Sequence, residues 1–154
     1  MDRKLIENIV VLSSICGFIS AWLALIPYMG LLSALFIICF VSLPVIIILQ
    51  KTQLLKSFTV KESMIIGAFS GFVSYMAFSI LFIALVYLLS LFFNMSYLGG
   101  FVLILKLSNF LLLLLFVLFV STIAVMFNSF TALIYYYICD SLSGIDNEKD
   151  FKLK

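Results

Sequence analysis

The chain has 154 residues, 66% of them hydrophobic and only 10% charged, and its nine basic and seven acidic side chains leave a net charge of +2. A soluble domain of this size cannot hide so much apolar surface, so the composition, with a mean hydropathy of +1.34, excludes a water-soluble fold and requires a bilayer as solvent. The small net charge excludes nucleic acid as a partner, and the absence of histidine removes the commonest general base and metal ligand together.

A membrane-spanning helix needs about 20 mainly apolar residues, and four segments qualify. The first covers 6–26. Its start, MDRKLIENIVVLSSICGF, is built like a signal peptide, but Ile15 precedes Cys16 where a lipoprotein cleavage site needs a small residue. The apolar run also continues through Trp22 to Ile26, which predicts an uncleaved first helix. Pro27, Tyr28, Met29 and Gly30 then form a tight uncharged turn. The second segment covers 31–49, with a kink expected at Pro44 near its end.

Residues 50–63, QKTQLLKSFTVKES, interleave Lys51, Lys56 and Lys61 with Leu54, Leu55, Phe58 and Val60. Such a segment suits the headgroup layer, or serves as an ordinary polar loop that obeys the charge rule. The third segment covers 64–93 and the fourth 107–139, joined by NMSYLGG at 94–100. Each is roughly 30 residues, or about 45 Å of helix, longer than the ~30 Å hydrocarbon core, so both must tilt, break or project. The tail at 140–154 is short and polar and is expected to fray. Its acids miss the spacing of a calcium loop, so no metal or other cofactor is expected.

These segments predict an all-α integral membrane protein, one domain of four transmembrane helices in a bundle over 1–154. Four spans put both termini and the central loop on one face. Eight of the nine basic residues lie there and only Lys106 lies near the other face, so the positive-inside rule puts both termini in the cytoplasm. Tyr28 and Tyr97 would mark the outer interface, and Tyr135, Tyr136 and Tyr137 the inner one. The Phe-, Ile- and Lys-leaning composition fits an AT-rich microbial genome, bacterial or archaeal, and hence a plasma membrane.

Small residues mark the expected helix contacts. MIIGAFSGFVSYMAFS at 64–79 sets Gly67, Gly71 and Ser74 along one face, and Ser13, Gly17 and Ala21 do the same on the first helix. Without a Cβ on the glycines a neighbouring backbone can come close, so the first and third helices are expected to pack through these two faces. The match of CGFIS (16–20) to SGFVS (70–74) also raises a two-hairpin repeat; the competing reading is that apolar sequences resemble one another easily.

Few residues could carry chemistry. Glu7 and Asp140 lie at the ends of spans, and Lys106 is the one cation near the outer face, its stem able to reach the interface. Cys16, Cys39 and Cys139 form no CxxC pair and read as small buried hydrophobes. GAFS at 67–70 resembles a stretch of the lipoprotein signal peptidases, yet the asparagine and the two aspartates of that family are missing. Asn109 and Asn128 are expected to make hydrogen bonds between helices, and the alternative is a polar pathway lined by Asn109, Asn128, Ser129 and Thr131. Two functions follow as expectations: a non-catalytic component that works by assembly, as a homo-oligomer or beside other membrane proteins, or a small transporter or channel for a neutral or apolar solute.

Overall fold

The computed structural model describes residues 3–55, 59–92 and 99–152, with side chains through Ser141. Among these residues the chain forms α1 (Arg3–Leu23), α2 (Met29–Cys39), α3 (Ser42–Lys51), α4 (Val60–Phe92), α5 (Gly99–Leu107) and α6 (Phe110–Lys152), with no strand. Three helices, α1, α4 and α6 as far as Ser141, are long and apolar enough to cross a membrane. The pair α2–α3 passes the same test as one span bent by 59°, which makes up to four. Lys56 and Tyr97, which the sequence places at the two interfaces, lie outside the described residues, as do Lys154 and the side chains of Lys149 and Lys152.

Several boundaries differ from expectation, three of them with consequences for the fold. The second segment breaks at Phe40–Val41, not at Pro44 itself. Proline has no N–H, and its ring clashes with the carbonyl four residues earlier, which here belongs to Phe40. The break therefore falls one turn before the proline, and Pro44 sits as the third residue of α3, where a helix has no internal acceptor for that N–H. The fourth segment starts at Phe110, because Ser108 and Asn109 separate it from the short helix α5. The tail does not leave the helix either: the described backbone carries α6 on to Lys152.

Local capping explains several of the ends. Thr59 and Glu62 form a capping box at α4: the Thr59 N–H donates to Glu62 Oε2 at 2.9 Å and the Glu62 N–H to Thr59 Oγ1 at 3.3 Å. At the end of α3, the Gln53 N–H donates to the Gln50 carbonyl and the Leu54 N–H to the Leu49 carbonyl, at 3.0 and 3.1 Å. That is the Schellman pattern, and it puts Gln53 in the left-handed region at φ 56. Glycine occupies that conformation without the Cβ cost, so Gln53→Gly is expected to stabilise the fold by ~1 kcal/mol in a denaturant titration.

The interior has two apolar clusters. One joins Ile9 of α1, Val45, Ile46 and Leu49 of α3, Ile66 of α4 and Ala132 of α6. The other joins Ala21 and Ala24 to Ile37, Tyr75, Phe78 and Ala124. Between helices already in lipid the hydrophobic effect supplies no net pull, so close packing and polar contacts must hold these elements together.

Candidate functional site

Two seams of small residues set the site. On α1, Gly17 is pressed against α4: a Cβ there would overlap the Ser74 carbonyl oxygen and lie 3.0 Å from Ala77 Cβ and 3.1 Å from the Phe78 nitrogen. Ser13 and Ala21, one turn either side, are fully buried. The α4 glycines face elsewhere. A Cβ on Gly67 would lie 2.5 Å from the Asn128 carbonyl oxygen and 2.7 Å from Ala132 Cβ; on Gly71 it would lie 2.7 Å from the Ala124 carbonyl oxygen. The expectation that Gly67 and Gly71 meet the first helix is thus corrected: their partner is α6, and only Ser74 of that trio serves α1.

The α4–α6 seam is antiparallel and advances by one turn at a time. Ser63 Oγ donates to the Ala132 carbonyl at 2.6 Å, Gly67 lies on Asn128, and Gly71 lies on Ala124. Four residues up α4 match four residues down α6, so the stripe Ala124, Asn128, Ala132 on one helix answers Gly71, Gly67, Ser63 on the other. Gly17 and Gly71, equivalent in a two-hairpin repeat, therefore have unlike neighbours. The second segment is broken where the last is continuous, so the contacts do not follow the sequence match.

That close approach delivers Asn128 to the break in the second segment. Its Oδ1 accepts from the Ser42 N–H at 2.9 Å, and its Nδ2 donates to the Ile37 and Ile38 carbonyls, each at 2.9 Å, and to the Ala124 carbonyl at 3.0 Å. Three acceptors for two protons mean that one proton is shared. Thr131, on the next turn of α6, donates to the Cys39 carbonyl at 2.6 Å. The two ends left by Pro44 are then nearly complete: the Phe36 carbonyl accepts from Phe40 and the Phe40 carbonyl from Leu43. Side chains of α6 take the three carbonyls between them. Unwound backbone inside a membrane must be satisfied by the protein, and here two neutral side chains do it.

Asn128 is fully buried. Asn109, in contrast, is exposed at the start of α6, some 19 residues and ~28 Å of helix away. Ser129 returns its hydroxyl to the Val125 carbonyl at 2.8 Å, as helical serines do. The four residues read from the sequence as a polar pathway are therefore not brought together: two bridge the break, one bonds its own helix, and one lies at an end. Ser13 Oγ and Ser42 Oγ are buried without a hydrogen-bond partner in the protein.

The interfacial set is placed as follows. Lys51 ends α3, Lys61 lies in the first turn of α4, and Lys106 lies in the last turn of α5; all three are exposed. Tyr135 donates its hydroxyl to Gln50 Oε1 at 2.7 Å, which ties α6 to the end of α3 at the level of Lys51. Arg3 and Glu7 pair on the exposed first turns of α1 at 3.0 Å. Among the described residues no group of three His, Cys, Asp or Glu side chains could hold a metal ion.

Sequence reasoning singled out Asn128 and Thr131 but not their targets, and it missed Ser42, Ile37 and Ile38, whose contribution is main-chain. The available signal was Pro44, which frees the backbone one turn earlier. No protein-family model matches the chain, and comparison with curated proteins and with solved structures found no match.

Proposed function

We propose that the chain is an integral membrane protein that does no chemistry of its own and works as an assembly or accessory component in a plasma membrane. The observation behind this reading is where the polar side chains go. Ser63, Ser70, Ser74, Ser121, Asn128, Ser129 and Thr131 all donate to carbonyls of the chain itself. What the long helices turn outward is large and apolar, as with Phe116, Phe119, Phe127 and Phe130 on α6. A protein of that kind offers shape and apolar surface to its neighbours rather than reactive groups. Both termini and the loop that carries Lys51 and Lys61 lie on the cytoplasmic face in this reading, because the basic residues concentrate there.

The small-residue faces are used within the chain, so a second copy or another membrane protein would be met through the large outward side chains. The expected result is a particle larger than one chain, or a co-purifying partner, by light scattering after extraction in mild detergent and again in nanodiscs. A strict monomer that brings nothing with it in both media would remove the basis of the proposal.

A second reading, a transporter or channel for a neutral solute, is favoured by one feature, the break in an apolar segment at the depth of Asn128. Discontinuous helices recur at the substrate sites of transporters. Solute flux in reconstituted vesicles that is lost in Asn128→Leu while the protein stays folded would favour this reading over the first.

A further inference from the structure

The helices share one end and not the other. Arg3 and Lys4 start α1, Lys51 ends α3, Lys61 and Glu62 open α4, and the bond from Tyr135 to Gln50 brings α6 to the same level. These charges fix one edge of the hydrocarbon. From that edge α1, with 21 residues or about 31 Å of helix, just crosses the ~30 Å core. Ile9 shares a core cluster with Ile66 and Ala21 shares one with Phe78, the same shift along the chain in both, so α1 and α4 run side by side in one direction. Leu23, where α1 ends, is therefore level with about Ile80 and Leu81 of α4.

Above that level α4 goes on to Phe92, roughly 16 Å further. The α4–α6 seam sets Gly71 on Ala124 and Gly67 on Asn128, and its continuation places Leu81 beside about Leu114, so the start of α6 rises past the end of α1 as well. α5 joins this crest, its Phe101 ring edge-on to Phe82 at 5.7 Å. Tilt does not absorb the excess. Met64 to Phe92 is about 43 Å of helix, which would need an inclination of roughly 45°, outside the usual 0–40°, and α1 alongside would then fall short of the far edge. In the crest only Val86 is buried among the described residues: α5 buries none, and neither does α6 between 110 and 120.

Within lipid such side chains need no partner, because the tails are as apolar as they are; beyond the hydrocarbon the hydrophobic effect acts on them in full. Leu88, Leu91 and Phe92 on α4, Leu103 and Ile104 on α5 and Leu111 on α6 each leave more than half of their surface free. Together they offer roughly 700 Å² of apolar area, on the scale of the ~800 Å² that one partner gives to a stable interface. From this we infer that the crest is the surface on which a second copy of the chain docks. Its described residues hold no carboxylate and only one cation, Lys106, so two crests meet side by side with little repulsion between like charges. A two-fold axis along the membrane normal keeps both copies in the same orientation and closes the assembly at two. The inference rests on the assembly reading and names its partner and its place.

Single cysteines at Leu91, Leu111 and Met29, in a chain with Cys16, Cys39 and Cys139 replaced by alanine, test it in vesicles; all three positions are exposed, and Met29 marks the end of the short hairpin. The expected result is that a short bis-maleimide joins two copies through Leu91→Cys and through Leu111→Cys, and that both sites resist a water-soluble maleimide. Cross-link and protection are both lost when fusion with excess lipid leaves one copy per vesicle, whereas Met29→Cys is labelled throughout and does not cross-link. If Leu91→Cys is labelled as fast as Met29→Cys before dilution, the crest is bare and the inference is wrong. If it stays protected after dilution, lipid or a different bound protein covers the crest, and the second copy is overturned. Copies joined through Met29→Cys instead would keep the assembly reading and remove the crest from it. A chain that is monomeric at every density and brings no partner would remove both.

Discussion

Gly67→Leu and Gly71→Leu are expected to prevent the fold from forming, and Gly67→Ala to cost ~3 kcal/mol in a denaturant titration. At Gly67 the atoms that a Cβ would meet are the Asn128 carbonyl oxygen at 2.5 Å, Ala132 Cβ at 2.7 Å and the Ser129 Cα at 2.9 Å. Two of the three are backbone, so no rotamer change can relieve the clash; α6 must move away as a whole. Helix propensity pushes the other way, since alanine is about 1 kcal/mol better than glycine inside a helix, but forced separation in a packed interior costs up to ~3 kcal/mol or more. The clash wins. Retreat of α6 also withdraws Asn128 and Thr131 from the break, so the loss is not confined to dispersion contacts. Gly99→Ala is the control: a Cβ there meets nothing within 4 Å, and stability is expected to stay unchanged. If Gly67→Ala behaves like Gly99→Ala, the α4–α6 seam is not what holds these helices.

The long helices were legible because each is an apolar run bounded by polar residues: Arg3 and Lys4 at the start of α1, Lys61 and Glu62 at the start of α4, Ser108 and Asn109 before α6. Period and length decide such elements, and both are local properties. The contact partners were not legible for a physical reason. A glycine says that some backbone comes close, not whose, and α1, α4 and α6 all present small residues at helical spacing. Gly17 found Ser74 and Ala77, as the pattern allowed, whereas Gly67 and Gly71 found Asn128, Ala132 and Ala124, which it allowed equally well.

The site was half visible. Asn128 stood out because an amide in an apolar helix needs partners, and an interhelical hydrogen bond was the expected use. Its partners on the second segment are main-chain atoms 86 to 91 positions away, and main-chain atoms leave no trace in a sequence. Pro44 was the missing half of the inference. A proline disturbs the helix one turn earlier, and that leaves the carbonyls of 37–39, not residue 44 itself, in need of other donors. Orphaned backbone in lipid must find donors, and the uncommitted polar side chains in the last apolar segment were few. Joined in that way, Pro44 and Asn128 predict each other; read separately, one was a kink near an end and the other a candidate pathway residue.

That coupling gives the second large effect. Asn128→Leu is expected to destabilise the fold by ~3 kcal/mol, because it strands the Ser42 N–H and the Ile37 and Ile38 carbonyls in a buried place. Each unpaired buried group costs roughly 1–3 kcal/mol, while interhelical hydrogen bonds measured in membranes average nearer ~0.6 kcal/mol, so the total turns on whether the break can rearrange. Pro44→Ala decides that. It restores an N–H for the Phe40 carbonyl and removes the ring that keeps this carbonyl out of line, so α2 and α3 can approach one continuous helix that satisfies its own groups. In that background Asn128 has less to bridge, and Asn128→Leu should cost less than in the native chain, by a coupling of ~1–2 kcal/mol in a double-mutant cycle. Additive costs would mean that Asn128 is held for packing against Gly71 and not for the backbone that Pro44 sets free.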